Sequence, residues 1–75
     1  MPTEPDSNLP LYLTIRDILA EDVRSGRLTP GTRLPSERDI AEKHGVARMT
    51  ARKALGVLES EGAIHSSDRR GYFVS

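Results

Sequence analysis

Apolar side chains recur at spacings of three and four residues over the first third of the chain: Leu11, Ile15, Ile18, Leu19 and Val23. Charged residues lie between them, so the apolar side chains share one face of an amphipathic helix. The pattern predicts a helix from about Leu9, with Pro10 tolerated at its start and Gly26 as its C-terminal cap.

A second, shorter helix is predicted directly after Pro35. Ser36 is a suitable N-cap, and Asp39 stands at the capping-box position, where it is a weaker substitute for glutamate. This helix ends at Gly45. Residues 30–31, a Pro-Gly pair, predict a turn in the preceding connection.

A third helix is predicted over about residues 47–61, where Gly62 stops it. Two short strand-like runs, 63–67 and 72–75, then flank the turn 68–71, which predicts a hairpin. Two helices joined by a tight turn form a helix-turn-helix, and a hairpin after its second helix makes the winged version. The predicted fold is therefore mainly α with a small β-hairpin.

The third helix has two contrasting faces. Its inner face is small and apolar: Ala51, Ala54, Leu55 and Leu58. Its far side holds Met49, Arg52, Lys53, Gly56 and Ser60. We expect Leu55 and Leu58 to be buried against Ile15, Leu19 and Ile40, and Arg52 and Lys53 to be exposed. Pairing of Arg52 with a buried acid would count against a role in reading DNA.

Charge is balanced overall, with 11 basic and 11 acidic residues, but it is unevenly placed. Residues 1–30 have a net charge of −2 and residues 31–75 a net charge of +2. A neutral total argues against indiscriminate coating of nucleic acid and leaves room for a local basic patch. The absence of cysteine excludes disulfides and thiolate metal sites, and no apolar run approaches the length of a membrane span.

Arg48 lies in the first turn of the third helix, where the helix dipole disfavours a cation. The cation therefore serves something other than folding, and phosphates and guanine edges are suitable partners. Two interpretations of the basic face remain open. It is an ordinary solvated surface, or it binds nucleic acid, which the helix-turn-helix order and the basic hairpin tip favour.

The segments "SGRLTPGTRLPSERDIA", "GVARMTARKAL" and "EGAI…GYFV" occur in this order and at these spacings. Together they resemble the DNA-binding domain of GntR-type bacterial transcription regulators, over Pro10 to Val74. The resemblance implies sequence-specific binding of double-stranded DNA, with the third helix in the major groove and the wing, residues 66–72, at the minor groove. The end of the chain, "RRGYFVS", favours the HutC-like subfamily.

The resemblance also implies roles for particular residues. Arg38 contacts the DNA backbone or bases, Arg48 is a main contact, Thr50 binds phosphate and Arg52 reads bases, while the wing tip reaches the minor groove. With the exposed neighbours of these residues, the expected DNA contacts are Arg38, Arg48, Met49, Thr50, Arg52, Lys53, Arg69, Arg70 and Gly71.

The chain departs from the family pattern at three positions. Ala47 stands where an N-capping serine is usual, at a cost of about 1 kcal/mol. Ala51 replaces a common valine, which makes the inner face lighter. Arg69 replaces the first glycine of the wing, so the wing turn is expected to differ and to carry an added cation.

Other candidate chemistry has ordinary explanations. His44 and His65 lie far apart in sequence and are expected to be surface or turn residues, not metal ligands. Glu37 and Asp39 are expected to be helix-start acids, not an acid/base pair. Tyr12, Tyr72 and Phe73 are expected to pack in the core and wing, and the Ser66–Ser67 pair has no neighbouring base. We therefore expect no enzyme activity, no metal and no cofactor.

The resemblance further implies that residues 9–75 form the DNA-binding domain, after a flexible tail over residues 1–8. Regulators of this type continue into a domain that dimerises and binds a small-molecule effector, so we expect a homodimer on an inverted-repeat operator. We expect the whole protein to be a repressor that acts in the cytoplasm. The alternative is a winged helix used as a protein–protein interaction module, with its basic face against an acidic partner.

Overall fold

Three helices and a β-hairpin follow one another along the chain: α1 (Leu11–Arg24), α2 (Glu37–His44), α3 (Arg48–Ser60), β1 (Ile64–Ser67) and β2 (Gly71–Val74). The computed structural model describes residues 10–68 and 70–75. The predicted tail, Leu9 and Arg69 lie outside these ranges. The order of elements confirms the predicted mainly α fold with a terminal hairpin.

The helix ends follow the residues that the sequence places there. Pro10 is the N-cap of α1, and Ser36 Oγ accepts a hydrogen bond from the Asp39 N–H at 3.1 Å at the start of α2. Gly45, with φ of +67°, ends α2 in the left-handed conformation that glycine adopts without strain. Because Gly45 reverses the chain so tightly, α3 begins only a few residues later and crosses α2 as a helix-turn-helix.

The core lies where α1 and α2 pack against the inner face of α3. The predicted inner face is confirmed, since Ala51, Ala54, Leu55 and Leu58 are all inaccessible to solvent. Their partners include Ile15 and Leu19 of α1 and Ile40 of α2, as predicted, together with Leu34, Ile64 and Val74. Alanine supplies half of this inner face, and the opposite side of α3, with Arg52, Lys53 and Gly56, is open to solvent.

The hairpin is a regular antiparallel pair in which Ile64 faces Val74 and Ser67 faces Gly71. Residues 31–34 of the connection between α1 and α2, for which no strand was predicted, lie along the other side of β2. The Gly31 N–H donates to the Val74 carbonyl at 2.8 Å, and the Leu34 N–H donates to the Tyr72 carbonyl at 2.8 Å. β2 is therefore paired on both sides, and the hairpin is attached to the connection between α1 and α2.

Two matched substitutions test the capping of the helices. Ala47, the N-cap of α3, has an extended backbone and makes no side-chain capping bond. Ala47→Ser is expected to raise the free energy of unfolding by about 1 kcal/mol, because the new hydroxyl can accept the N–H of Thr50. Ser36→Ala is expected to lower it by a similar amount, because it deletes the bond to Asp39.

Thermal unfolding followed by circular dichroism measures both changes. Each kcal/mol of change in the free energy of unfolding is expected to move the thermal midpoint by roughly 4–8 °C in a domain of this size. Equal midpoints for the wild type and both variants would contradict the capping assignment.

Candidate nucleic-acid interface

The exposed face of α3 carries the predicted contact residues near its N-terminus. Arg48 and Arg52 are one helical turn apart and exposed, and Met49 between them is 55% exposed. These orientations follow from the core, because burial of Ala51, Ala54 and Leu55 on one face of α3 leaves Arg48, Met49 and Arg52 on its exposed side. The predicted exposure of Arg52 and Lys53 is confirmed.

Glu37 joins α2 to both of these arginines. Arg52 Nε donates to Glu37 Oε2 at 3.1 Å, and Arg52 Nη2 donates to Glu37 Oε1 at 3.3 Å. Arg48 Nη2 lies 3.8 Å from Glu37 Oε1. The hydrogen bonds to Glu37, followed by electrostatic attraction to the same carboxylate, raise the pKa of Arg52 above its ordinary value. Like any arginine, Arg52 is charged throughout the pH range in which proteins stay folded.

Glu37 was expected only as an acid at the start of a helix. It does lie at the start of α2, but its side chain also reaches across to α3. A residue that contacts a neighbouring helix leaves no periodic signal in the sequence. Only the predicted closeness of α2 and α3 could have suggested the contact.

Arg52 is paired with an acid yet remains available to a ligand. Its side chain is 58% exposed, whereas the carboxylate partner Glu37 is 22% exposed and so not fully buried. A guanidinium has five N–H donors, and the fork to Glu37 uses one edge of it. Pairing with a fully buried acid would have counted against a role of Arg52 in reading DNA. The observed pairing is with a partly exposed acid, and it leaves other N–H donors of Arg52 available.

Two other predicted contact residues have partners of their own. Arg38 is exposed on α2, and its Nε lies 3.3 Å from Oε2 of Glu42, one turn further along the same helix. Lys53 Nζ lies 5.7 Å from the centre of the Tyr12 ring, a cation–π contact that directs it towards α1.

Thr50 is half-buried in the first turn of α3. The structure thus brings Arg48 and Arg52 together and places Lys53 to one side.

A groove of about 230 Å³ runs between the hairpin and the start of α2. Its lining includes Arg38, Arg48 and Gly71 of the predicted site, together with Arg33, which the sequence analysis did not select. Arg33 is exposed and projects over Gly71. Arg70, directly before Gly71, is exposed at the hairpin turn, where its backbone N–H donates to the Ser67 carbonyl. Arg69, a predicted contact, lies outside the described residues.

Gly71 is required by the geometry of the wing. Its φ is +105°, and a Cβ at this position would lie 3.1 Å from Arg33 Nε. Gly71→Ala is expected to lower the free energy of unfolding by about 1–3 kcal/mol, because of backbone strain and displacement of Arg33. Gly56→Ala is the matched control, because Gly56 lies in α3 with open space around it. This substitution is expected to raise the free energy of unfolding by about 0.5–1 kcal/mol.

Urea unfolding of the two variants and the wild type provides the measurement. A Gly71→Ala domain as stable as the wild type would contradict the strain assigned to the wing.

The remaining polar residues near the hairpin have structural contacts. Ser66 Oγ donates to Glu59 Oε2 at 2.8 Å, which ties β1 to the end of α3. The His65 ring stacks on Phe73 with their centres 6.1 Å apart, and His65 Nδ1 lies 3.1 Å from Ser75 Oγ. In the described part of the chain, no helix combines the length and the apolar character needed to cross a membrane.

A helix-turn-helix whose second helix presents an exposed basic face, followed by a hairpin attached to the same core, defines a winged helix-turn-helix domain. The chain belongs to the gntR family of bacterial regulatory proteins, whose pattern matches residues 11–74. This membership confirms the predicted family, fold and DNA-binding regulatory class. The HutC-like subfamily stays a prediction.

Two curated relatives illustrate the similarity. The chain is 44% identical to the HTH-type transcriptional repressor NagR of Bacillus subtilis (strain 168) over 69 residues, which are 92% of this chain and 28% of NagR. It is 46% identical to the HTH-type transcriptional regulator GgaR of Escherichia coli (strain K12) over 65 residues, 87% of this chain and 25% of GgaR. The chain thus spans about a quarter of these relatives.

Solved structures agree in fold. The DNA-binding domain of AraR in complex with operator ORX1 matches with a TM-score of 0.87 and 31% identity, covering 100% of this chain and 93% of that chain. YtrA of Sulfolobus acidocaldarius, a GntR-family transcription factor, matches with a TM-score of 0.84 and 36% identity, covering 100% of this chain and 64% of that chain.

Proposed function

We propose that this chain binds double-stranded DNA sequence-specifically, with α3 in the major groove and the hairpin at the minor groove, and that it serves transcriptional repression. The observation that carries the proposal is the exposed start of α3, where Arg48 and Arg52 project on the side opposite the core. An α-helix is about 10–12 Å wide and fits the major groove, which is about 12 Å wide. The repressor NagR and the operator complex of AraR support this use of the domain.

The spacing of the two arginines suits adjacent bases. Four residues of α-helix advance roughly 6 Å, and base pairs are stacked about 3.4 Å apart. Arg48 and Arg52 can therefore reach bases about two steps apart, where guanine O6 and N7 are preferred acceptors. Met49 offers an apolar contact for a thymine methyl group, and Thr50 a hydroxyl for phosphate.

The hairpin and α2 supply contacts to the DNA backbone. Arg38 on α2 lines the groove that contains Arg33 and Gly71, and the exposed Arg70 directly precedes Gly71 in the hairpin. Arginine side chains on both sides of a helix in the major groove can bind the phosphates of the two strands and fix its register. Arg69 and Lys53 complete the proposed set of contacts.

The proposed parent protein acts by binding and not by catalysis, in the bacterial cytoplasm where its DNA lies. Its remaining part dimerises and binds a small-molecule effector, so that two copies of this domain occupy an inverted repeat. The 75-residue chain alone is then expected to be a monomer that binds one half-site with a Kd on the micromolar scale.

Selection from a random pool of duplexes tests the proposal. The wild-type chain is expected to enrich one sequence, called here the selected duplex, over a scrambled duplex of the same composition. Its affinity is expected to fall with salt by roughly 0.9 logarithmic units for each phosphate neutralised, per tenfold rise in salt. Failure to enrich any sequence, with no salt dependence, would instead favour a protein–protein interaction module.

A further inference from the structure

The carboxylate of Glu37 lies within the surface that the proposed function turns towards DNA. DNA is a polyanion, and an acid at this position repels its phosphates. Glu37 nevertheless lies between the two α3 arginines, with 22% of its side chain exposed. Arg52 Nε and Nη2 both bond to it, and Arg48 Nη2 lies 3.8 Å away.

From this geometry, and resting on the proposed function, we propose that Glu37 is a positioning residue that sets sequence discrimination: it orients Arg52 for a base edge and weakens the attraction of the surface for random phosphates. Two donors to one carboxylate fix both the plane and the direction of a guanidinium, which single bonds do not.

The fork leaves the recognition edge of Arg52 open. Nε and Nη2 form the side of the guanidinium that faces Glu37. The end formed by Nη1 and Nη2 retains parallel N–H groups, and within the described residues Nη1 has no hydrogen-bond partner. Such an end pairs with guanine O6 and N7. An arginine already held in place loses less conformational freedom when it binds.

The same carboxylate reduces binding to random DNA. Binding without sequence preference comes from cations that neutralise phosphates. Glu37 offsets part of the positive potential of Arg48 and Arg52. The electrostatic attraction of this surface for phosphates therefore falls, while an oriented contact to a base edge persists. Discrimination is a difference of affinities, and weakening the wrong complex raises it as effectively as strengthening the right one.

The substitution Glu37→Gln tests this proposal, with Glu21→Gln as a matched control. Glu21 on α1 also receives a fork from an arginine, because Arg24 Nε and Nη2 donate to it at 3.1 and 2.6 Å. Both substitutions preserve size and remove one negative charge. Fluorescence anisotropy measures the Kd of each variant for the selected and the scrambled duplex, and circular dichroism verifies that each is folded.

We expect Glu37→Gln to weaken binding to the selected duplex about tenfold and to strengthen binding to the scrambled duplex about two- to threefold. Glu21→Gln is expected to preserve the ratio of the two affinities. A role in stability alone would weaken both complexes together. If Glu37 orients Arg52, adding Glu37→Gln to the Arg52→Ala variant causes no further loss of affinity for the selected duplex, because the arginine that Glu37 orients is already absent.

Each other outcome is decisive. A wild-type chain that enriches a sequence, with a Glu37→Gln variant that retains the full preference, overturns this inference and leaves the proposed function standing. Additive losses in the double variant also overturn it. A wild-type chain that enriches no sequence overturns the proposed function and this inference together.

Discussion

Replacement of Leu55 by alanine is expected to lower the free energy of unfolding by about 2–5 kcal/mol. Leu55 is 0% exposed at the centre of α3, where α1, α2 and the hairpin meet. Its neighbours Ala51 and Ala54 on the same helix face are too small to fill the cavity. A domain of 75 residues has only about 4–11 kcal/mol of stability in total, so a large part of it is lost.

Urea unfolding and thermal melting of the Leu55→Ala variant measure this effect, with an expected fall in the thermal midpoint of roughly 8–40 °C. Leu11→Ala is the control, because Leu11 is the same residue type with 51% of its surface exposed. It is expected to change stability by less than about 0.5 kcal/mol. Equal losses for the two variants would mean that α3 is not the centre of the core.

Replacement of Arg52 by alanine is expected to cost about 1–3 kcal/mol of binding to the selected duplex and little on the scrambled duplex. Arg52 is exposed on α3, and its guanidinium is the proposed reader of a guanine edge. The domain is expected to remain folded, since the substituted side chain lies outside the core. Binding of the variant to both duplexes at two salt concentrations measures the change in discrimination.

Arg70→Ala provides the contrast, because Arg70 is exposed on the hairpin and not on α3. Its loss is expected to weaken both duplexes evenly and to lower the salt slope by about one unit. If Arg52→Ala weakened both duplexes equally and Arg70→Ala removed the preference, the reading residues would lie on the wing instead of α3.

The helices could be predicted from the sequence because each one is marked locally. Ser36 and Gly45 delimit α2, and the apolar spacing through Leu55 and Leu58 specifies the inner face of α3. The predicted bounds of α3 differ by one residue at each end, since Ala47 and Glu61 are its caps and not its first and last residues. Local side-chain and backbone preferences determine these features, so they could be predicted from the sequence.

Contacts between elements distant in the chain could not be predicted in the same way. The pairing of residues 31–34 with β2 depends on how α1 and α2 orient their connection, and "TRL" is too short to show strand alternation. The fork between Glu37 and Arg52 joins residues on different helices. Of the site, the sequence therefore indicated which cations are exposed, but not the acid that orients one of them.

The pairing of β2 on both sides affects how neighbouring copies of the domain behave. Open strand edges allow proteins to join into larger sheets. Here one outer segment, 31–34, lies between Pro30 and Pro35, residues without an N–H to offer. On the other outer strand, the Ser66 N–H already donates to Glu59 Oε2 at 3.3 Å. On the proposed inverted repeat, two such domains side by side are therefore expected not to associate edge to edge, so that the DNA sets their spacing.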